Sequence, residues 1–415
     1  MKKIILYCDK IILCGLILLA FILPFVFHTA ALITIGLLIP FAAWIVKLIA
    51  EKGKGINVTP LFLPILFWGG IILISSLNSI NPQYSFHEFR GEYLKQILLF
   101  LLIVNNIKED YKYRYLIYAL LLGCFFVSIY TIFGYFSGTA AWKPWFPRAT
   151  GTYGSKCKMA MYFVFIIPLV FSICLNTSKK LLRYTSFALF LLSSFSLILT
   201  FTRGAWIVCA VMILILAFRK SKKTGFNVSI FTLIIFALLL TFSIQARTRI
   251  SRTIDFSRGL DKVLSGRITL WENSFEVIKD YPLLGAGYGP NIFNYLAKDY
   301  NLTTKANFLP PTPSKQQQPD AHNFYIQIMI ETGIIGLLIF LYFLFTFFRY
   351  SFNSLNRIDK NREFLFTTVL IIFGILSFGL TGYFYEDRNA LFFWLFISLA
   401  ASVVENKTRG EIIGH

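Results

Sequence analysis

Residues 184–218 read YTSFALFLLSSFSLILTFTRGAWIVCAVMILILAF, two apolar runs with a single charge, Arg203, between them. The runs cover 184–201 and 204–218, close to the roughly 20 residues that carry a helix across a hydrocarbon core of about 30 Å. In lipid the backbone must satisfy its own hydrogen bonds, so both runs are expected to be helices. Arg203 then sits at their junction near the membrane boundary, where a guanidinium needs an anionic or aqueous partner.

Runs of the same kind recur on both sides, at 11–27, 29–50, 60–77, 92–106, 115–137, 159–175, 227–245, 323–348, 364–383 and 389–404, making twelve expected spans in all. The whole chain of 415 residues is 56% hydrophobic and only 14% charged, with a mean hydropathy of +0.66. That balance excludes a water-soluble domain. The run 11–27 follows Lys2, Lys3 and Lys10 as a signal peptide would, yet no small-residue cleavage site comes after it and Pro24-Phe25-Val26-Phe27-His28 leads straight into the next run. It is read as an uncleaved first helix.

The expected fold is an all-α polytopic membrane protein of about 12 helices. Its segments are 1–245 with helices one to nine and short loops, 246–322 as one large periplasmic loop, 323–404 with helices ten to twelve, and 405–415 as a cytoplasmic tail. Lys and Arg collect at the N-terminus and after the even-numbered spans, as Lys47/Lys52/Lys54, Lys108/Lys112/Arg114, Lys179/Lys180/Arg183, Arg219/Lys220/Lys222/Lys223 and Arg349/Arg357/Lys360/Arg362. The positive-inside rule makes those loops cytoplasmic, with both termini on that side of a bacterial inner membrane. The net charge of +20 is largely this topology signal. With no aromatic-basic module beside it, nucleic acid is not an expected partner, whereas membrane lipids are.

Six cysteines are scattered without CxxC or Cys/His metal spacing, and Cys157 alone is expected in an outer loop. Within the large loop, residues 267–279 place Ile268, Trp271, Phe275 and Ile278 on one helical face and charges on the other, an amphipathic helix for the membrane surface or the bundle. Pro282 and Gly285-Ala286-Gly287-Tyr288-Gly289-Pro290 end it in turns. That glycine run follows a helix and lies on the outer side, so a nucleotide cradle is disfavoured. Pro310-Pro311-Thr312-Pro313-Ser314 and Pro319 form an extended connector before span ten.

The chemistry-bearing residues collect on the odd-numbered side. Arg90, Arg148, Arg203 and Arg388 stand before spans four, six, eight and twelve, Arg267 opens the amphipathic helix, and His322 precedes span ten. Helix N-termini carry partial positive charge and unpaired N–H groups, and planar guanidinium forks suit phosphate oxygens. Arg90 and Arg388 have acidic neighbours in Glu88, Glu92, Glu386 and Asp387, which also suit interfacial anchors or ion pairs. Arg148 sits in a polar loop that packing does not require. His28 and His415 lie in a tight loop and a tail, and His87 has surface neighbours. His322, beside a helix N-terminus and several arginines, is expected to act as a neutral imidazole that accepts a proton.

Thr202-Arg203-Gly204-Ala205-Trp206, Gly266-Arg267 with Trp271, Pro282-Leu283-Leu284-Gly285-Ala286-Gly287, Ala321-His322-Asn323 and Glu331-Thr332-Gly333-Ile334-Ile335-Gly336 together resemble the O-antigen ligase family in order and spacing. Arg148-Ala149-Thr150-Gly151-Thr152-Tyr153-Gly154 is similar to that family's earlier outer loop. The resemblance covers nearly the whole chain. It implies a GT-C-type, metal-independent glycosyltransferase with its active site on the periplasmic face, moving a glycan from undecaprenyl diphosphate to lipid A-core in lipopolysaccharide biosynthesis. By position it assigns Arg203 and Arg267 to the donor diphosphate and His322 to the acceptor hydroxyl. Arg148 matches less closely, and Arg90 joins the donor side by its place in the topology alone.

The residue chemistry agrees with that assignment. Arginines can stabilise the negative charge that develops on a departing diphosphate, and a neutral imidazole can take the acceptor proton, giving inversion in one step. No Asp-x-Asp motif occurs in the outer loops, so neither metal nor cofactor is expected. An O-antigen or polysaccharide polymerase would use the same donor chemistry. A carrier-linked glycan transporter would instead place charges inside the spans, which are almost free of them.

Overall fold

The computed structural model describes residues 1–26, 29–53, 56–139, 147–244, 246–248, 251, 259–264, 266–296, 299–300, 320–358, 361–385 and 387–406. The proline connector at 310–314 with Pro319, the tail beyond 406, His28 and His415 lie outside them. The described residues form helices in the order α1 Lys2–Ile22, α2 Ala30–Ala50, α3 Phe62–Leu77, α4 Pro82–Glu88, a π-turn Phe89–Tyr93, α5 Leu94–Asn106, α6 Asp110–Ser137 and α7 Lys156–Asn176. They continue with α8 Lys180–Leu199, α9 Arg203–Lys220, α10 Lys222–Phe242, α11 Leu260–Val263, α12 Arg267–Asp280, α13 Ile292–Leu296, α14 Phe324–Leu355, α15 Arg362–Gly379 and α16 Asp387–Asn406.

Every expected span falls on one of these helices, and nine of them are long and apolar enough to cross a membrane: α1, α2, α6, α7, α8, α10, α14, α15 and α16. The remaining three expected spans differ for identifiable reasons. α3 has 16 residues, α5 has 13 and is prolonged by the π-turn before it, and α9 carries Arg203, Arg219 and Lys220 at its ends. The chain is an all-helical polytopic membrane protein.

Its centre is α7, which buries every residue from Met159 to Ile173 and packs against α8, α9, α15 and α16. A helix apolar all round belongs where neighbours cover every face. α10 is the opposite case. It packs mainly on α9, buries only Gly225 and leaves Phe226, Leu233 and Phe242 exposed, the surface that lipid covers.

The loops sort onto two ends. At one end, loops following odd-numbered expected spans bond to one another: Thr152 to the Pro24 carbonyl at 2.6 Å, Arg388 to Thr29 at 3.1 Å, Asn389 to the Lys158 carbonyl at 3.3 Å and Asn323 to the Leu380 carbonyl at 3.2 Å. At the other end, Lys47 meets Asp9 at 2.7 Å and Asn106 at 3.2 Å, while Arg219 grips Glu363 through two bonds of 2.8 and 2.9 Å.

The amphipathic helix exists as α12, but its buried stripe is Leu270, Ser274 and Val277, and Phe275 is 46% exposed. The expected stripe is therefore rotated by one position. The reason is that Ile326 and Ile330 of α14 join Ala286, Ile292, Phe293 and Leu296 in a small outer core that covers the Leu270 side.

α14 is broken at Gly333, whose φ of 69° and ψ of −172° are not helical. Backbone from the large loop enters the break: Ile334 donates to the Pro282 carbonyl at 2.9 Å and Ala286 to the Ile330 carbonyl at 2.7 Å. A Cβ on Gly333 would lie 2.1 Å from the Leu283 oxygen, and one on Gly285 would lie 2.4 Å from the Glu331 carbonyl carbon. These glycines permit two backbones to touch. The glycine run is thus a docking loop, and its Ala286 also meets the turn between α3 and α4, since Ile80 donates to the Ala286 carbonyl at 2.9 Å.

Candidate functional site

The site is assembled where three helices begin. Arg203 is the first residue of α9 and Arg267 the first of α12, and His322 lies just before α14. Arg203 feels the positive charge of Arg267, and Arg267 feels the negative charge of Asp320, which bonds His322. Residues separated in sequence by up to 119 positions (322 minus 203) therefore form one electrostatic cluster.

Each member is held by specific contacts. Arg148 is buried, at 7% exposure, and its Nε donates to the Thr200 carbonyl at 2.9 Å while Nη2 donates to the Phe201 carbonyl at 2.9 Å and Thr202 Oγ1 at 3.3 Å. Phe201 needs that support, because its φ of 49° is left-handed, which costs a non-glycine residue energy. Arg148 thus fixes the turn that aims Arg203. The sequence groups Arg148 with the donor-binding residues, and these contacts tie it to the turn that leads into Arg203.

His322 has the same backbone signature, with φ 50°. Its backbone N–H donates to Asp320 Oδ1 at 2.7 Å, and its Nδ1 is 2.9 Å from that same oxygen. The intervening Ala321 is pinned from both sides, its carbonyl accepting from Trp271 Nε1 at 3.1 Å and its N–H donating to Gln327 Oε1 at 3.0 Å. Asn323 then caps α14, accepting from the N–H groups of Tyr325 and Ile326 at 3.0 and 3.2 Å.

Burial pushes the Asp320 carboxyl up, but its interaction with His322, two hydrogen bonds included, and the charge of Lys158 outweigh that and hold it below the ordinary carboxylate value. For Arg267, burial lowers the guanidinium from its ordinary value, and Cys157 and Asp320 push back. Arg267 Nε is buried with no hydrogen-bond partner among the described residues. A buried, unpartnered donor on a charged group is costly unless a ligand completes it.

The other sequence candidates are placed differently. Arg90 is exposed on the π-turn, and no described contact joins it to the Arg203–Arg267 pair. Arg388 is buried in the first turn of α16 and bonds Thr29. Residues that sequence reasoning passed over are Asp320, Trp271 as a donor to the Ala321 carbonyl, and Gln327. The Asp-x-His spacing of an Asx-type turn was the one legible signal among these. Glu331 is also buried, bonded by Gln327 at 2.8 Å, Tyr383 at 3.3 Å and the Gly289 N–H at 3.3 Å, which anchors the glycine loop. Among the described residues, no group of three or more His, Cys, Asp or Glu side chains could hold a metal ion.

Residues 188–341, from α8 into α14, match a family model described as O-antigen ligase. The chain carries an O-antigen ligase family domain. The domain contains Arg203, Arg267, Asp320 and His322, whereas Arg90 and Arg148 precede it. An O-antigen polymerase of Salmonella muenchen is 26% identical over 268 residues, covering 61% of this chain and 60% of that protein. The exopolysaccharide production protein ExoQ of Rhizobium meliloti (strain 1021) is 28% identical over 123 residues, 28% of this chain and 25% of that protein. The chain therefore matches less than two thirds of the length of either relative.

Proposed function

We propose that the protein is a membrane glycosyltransferase that moves a glycan from undecaprenyl diphosphate to a hydroxyl acceptor, without a metal ion. The observation that carries this reading is the paired guanidiniums of Arg203 and Arg267, one with an unpartnered buried Nε, beside a histidine whose Nδ1 is committed to Asp320. A diphosphate supplies the oxygens that such a pair binds, and its charge grows as the bond to the anomeric carbon breaks. His322 takes the proton of the attacking hydroxyl. Activity accordingly persists in EDTA, and turnover that stops there and is restored by Mg²⁺ or Mn²⁺ would remove the metal-free part.

The site lies on the periplasmic face of a bacterial inner membrane, with both termini in the cytoplasm. The short Lys/Arg-rich loops belong to the opposite end of the bundle from His322, which supports that orientation, and the basic residues of 246–322 do not count against it because a loop of that length crosses regardless of its charge. In the first reading the acceptor is lipid A-core, in keeping with the ligase description of the matched domain. A second reading, chain polymerisation with another carrier-linked glycan as acceptor, is favoured by the Salmonella muenchen polymerase. Purified protein given an undecaprenyl diphosphate-linked oligosaccharide, with and without lipid A-core, separates them. Glycan on lipid A-core supports ligation, longer carrier-linked chains support polymerisation, and an unmodified donor in both reactions overturns glycosyl transfer.

A further inference from the structure

Asp320 is 9% exposed and spends one oxygen, Oδ1, on both the backbone N–H and the ring Nδ1 of His322, at 2.7 and 2.9 Å. An ionised carboxylate only accepts hydrogen bonds, so the Nδ1 it faces must carry the proton. The neutral imidazole then has its lone pair on Nε2. The turn that presents this pair is fixed on each side by Trp271, Gln327 and the Asn323 cap, and it holds His322 in a left-handed conformation. Backbone strain of that kind persists only where surrounding contacts enforce it. Arg267 and Lys158 supply the positive charges that Asp320 meets from α12 and α7.

Resting on the glycosyl-transfer reading, we infer that Asp320 is the positioning residue for His322, locking the tautomer with a free Nε2 and balancing the imidazolium that forms during transfer. In the step it supports, the acceptor oxygen forms its bond to the anomeric carbon as the bond to diphosphate breaks. The departing diphosphate keeps the electron pair, and the hydroxyl proton moves to His322 Nε2. Asp320 touches none of the reacting atoms and keeps its place on the Nδ1 proton throughout.

The test uses full-length protein in lipid nanodiscs with ¹⁵N-labelled histidine, its His322 signals assigned by comparison with His322→Ala. Solid-state NMR near pH 8 should show His322 protonated on Nδ1 and bare on Nε2, and Asp320→Ala should shift the majority of the ring to the opposite tautomer. With an undecaprenyl diphosphate-linked oligosaccharide as donor, Asp320→Ala should lower kcat by about 10²-fold or more while leaving the donor KM unchanged. Asp320→Asn keeps the size of the side chain and an acceptor oxygen, guards against loss of folding, and should lower kcat alone. A wild-type ring protonated on Nε2, an unaltered tautomer in Asp320→Ala, or an unaltered kcat in Asp320→Asn overturns the assignment. The expected tautomer and its dependence on Asp320, seen in protein that transfers no glycan, would uphold the positioning role and overturn the glycosyl-transfer reading instead.

Discussion

The Arg219 end of the helical bundle and the cluster around His322 at the other end treat positive charge in opposite ways. At the end bearing Arg219, basic side chains are matched to acids: Lys47 to Asp9, Lys112 to Glu109 at 2.7 Å, and Arg219 to both oxygens of Glu363. At the end bearing His322, two arginines repel one another, a third is tied to backbone carbonyls, and the acid in the cluster, Asp320, bonds the histidine. Neutralised pairs record how a chain is oriented and packed. Cations gathered against one another, with an acid already engaged, fit the anionic donor of the proposed reaction.

The largest effect expected at the His322 end comes from His322→Ala, which removes the proton acceptor and should cut transfer by about 10²–10⁴-fold. Binding of a carrier-linked diphosphate to the same variant should stay near wild type, and a variant that transfers normally would erase the contrast between the ends. Next come Arg203→Lys and Arg267→Lys, which keep the charge but lose the planar fork. A charge-assisted bond contributes about 1.5–3 kcal/mol, so donor affinity and rate should drop by about 10- to 100-fold, as measured by binding and turnover side by side. Arg148→Ala leaves both of those guanidiniums in place and strips the Thr200 and Phe201 carbonyls of their donor. Thermal unfolding should register a loss of about 1–3 kcal/mol, with a smaller fall in rate than Arg203→Lys gives. Smallest of all is Arg219→Gln at the opposite end. Its pair with Glu363 is partly exposed and contributes about 0.2–1 kcal/mol, so stability should move slightly and turnover not at all. A turnover loss there comparable to Arg203→Lys would show that the two ends are not functionally distinct.

Much of the fold was legible because a membrane chain writes its helices as apolar runs. Arg203 stood out for the same reason, as a lone charge between two such runs. The face of α12 was harder to read, since Ile268 and Phe275 offer one apolar stripe and Leu270 and Val277 another, and only the position of Ile326 and Ile330 decides between them. Arg148 illustrates a different obstacle. Nothing in its own neighbourhood of sequence reveals that its guanidinium will meet carbonyls 52 and 53 residues away. The partner of His322 lay only two residues upstream, yet whether Asp320 turns back to the ring depends on a left-handed backbone that Trp271 and Gln327 help to enforce.

The break at Gly333 bears on how such proteins can be recombined. Residues 282–286 and 330–334 touch backbone to backbone, with Gly285 and Gly333 each admitting the other segment. They behave as the two halves of a clasp, and neither half can accept a side chain on the glycine that lets the other through. A chimera that exchanges the outer loop between relatives and stops its junction at 322 would import one half and retain the other from a different parent. Moving the junction past Gly333 transfers the clasp whole, together with the turn that carries His322, so the natural unit of exchange runs from the start of the loop into the first third of the following membrane helix.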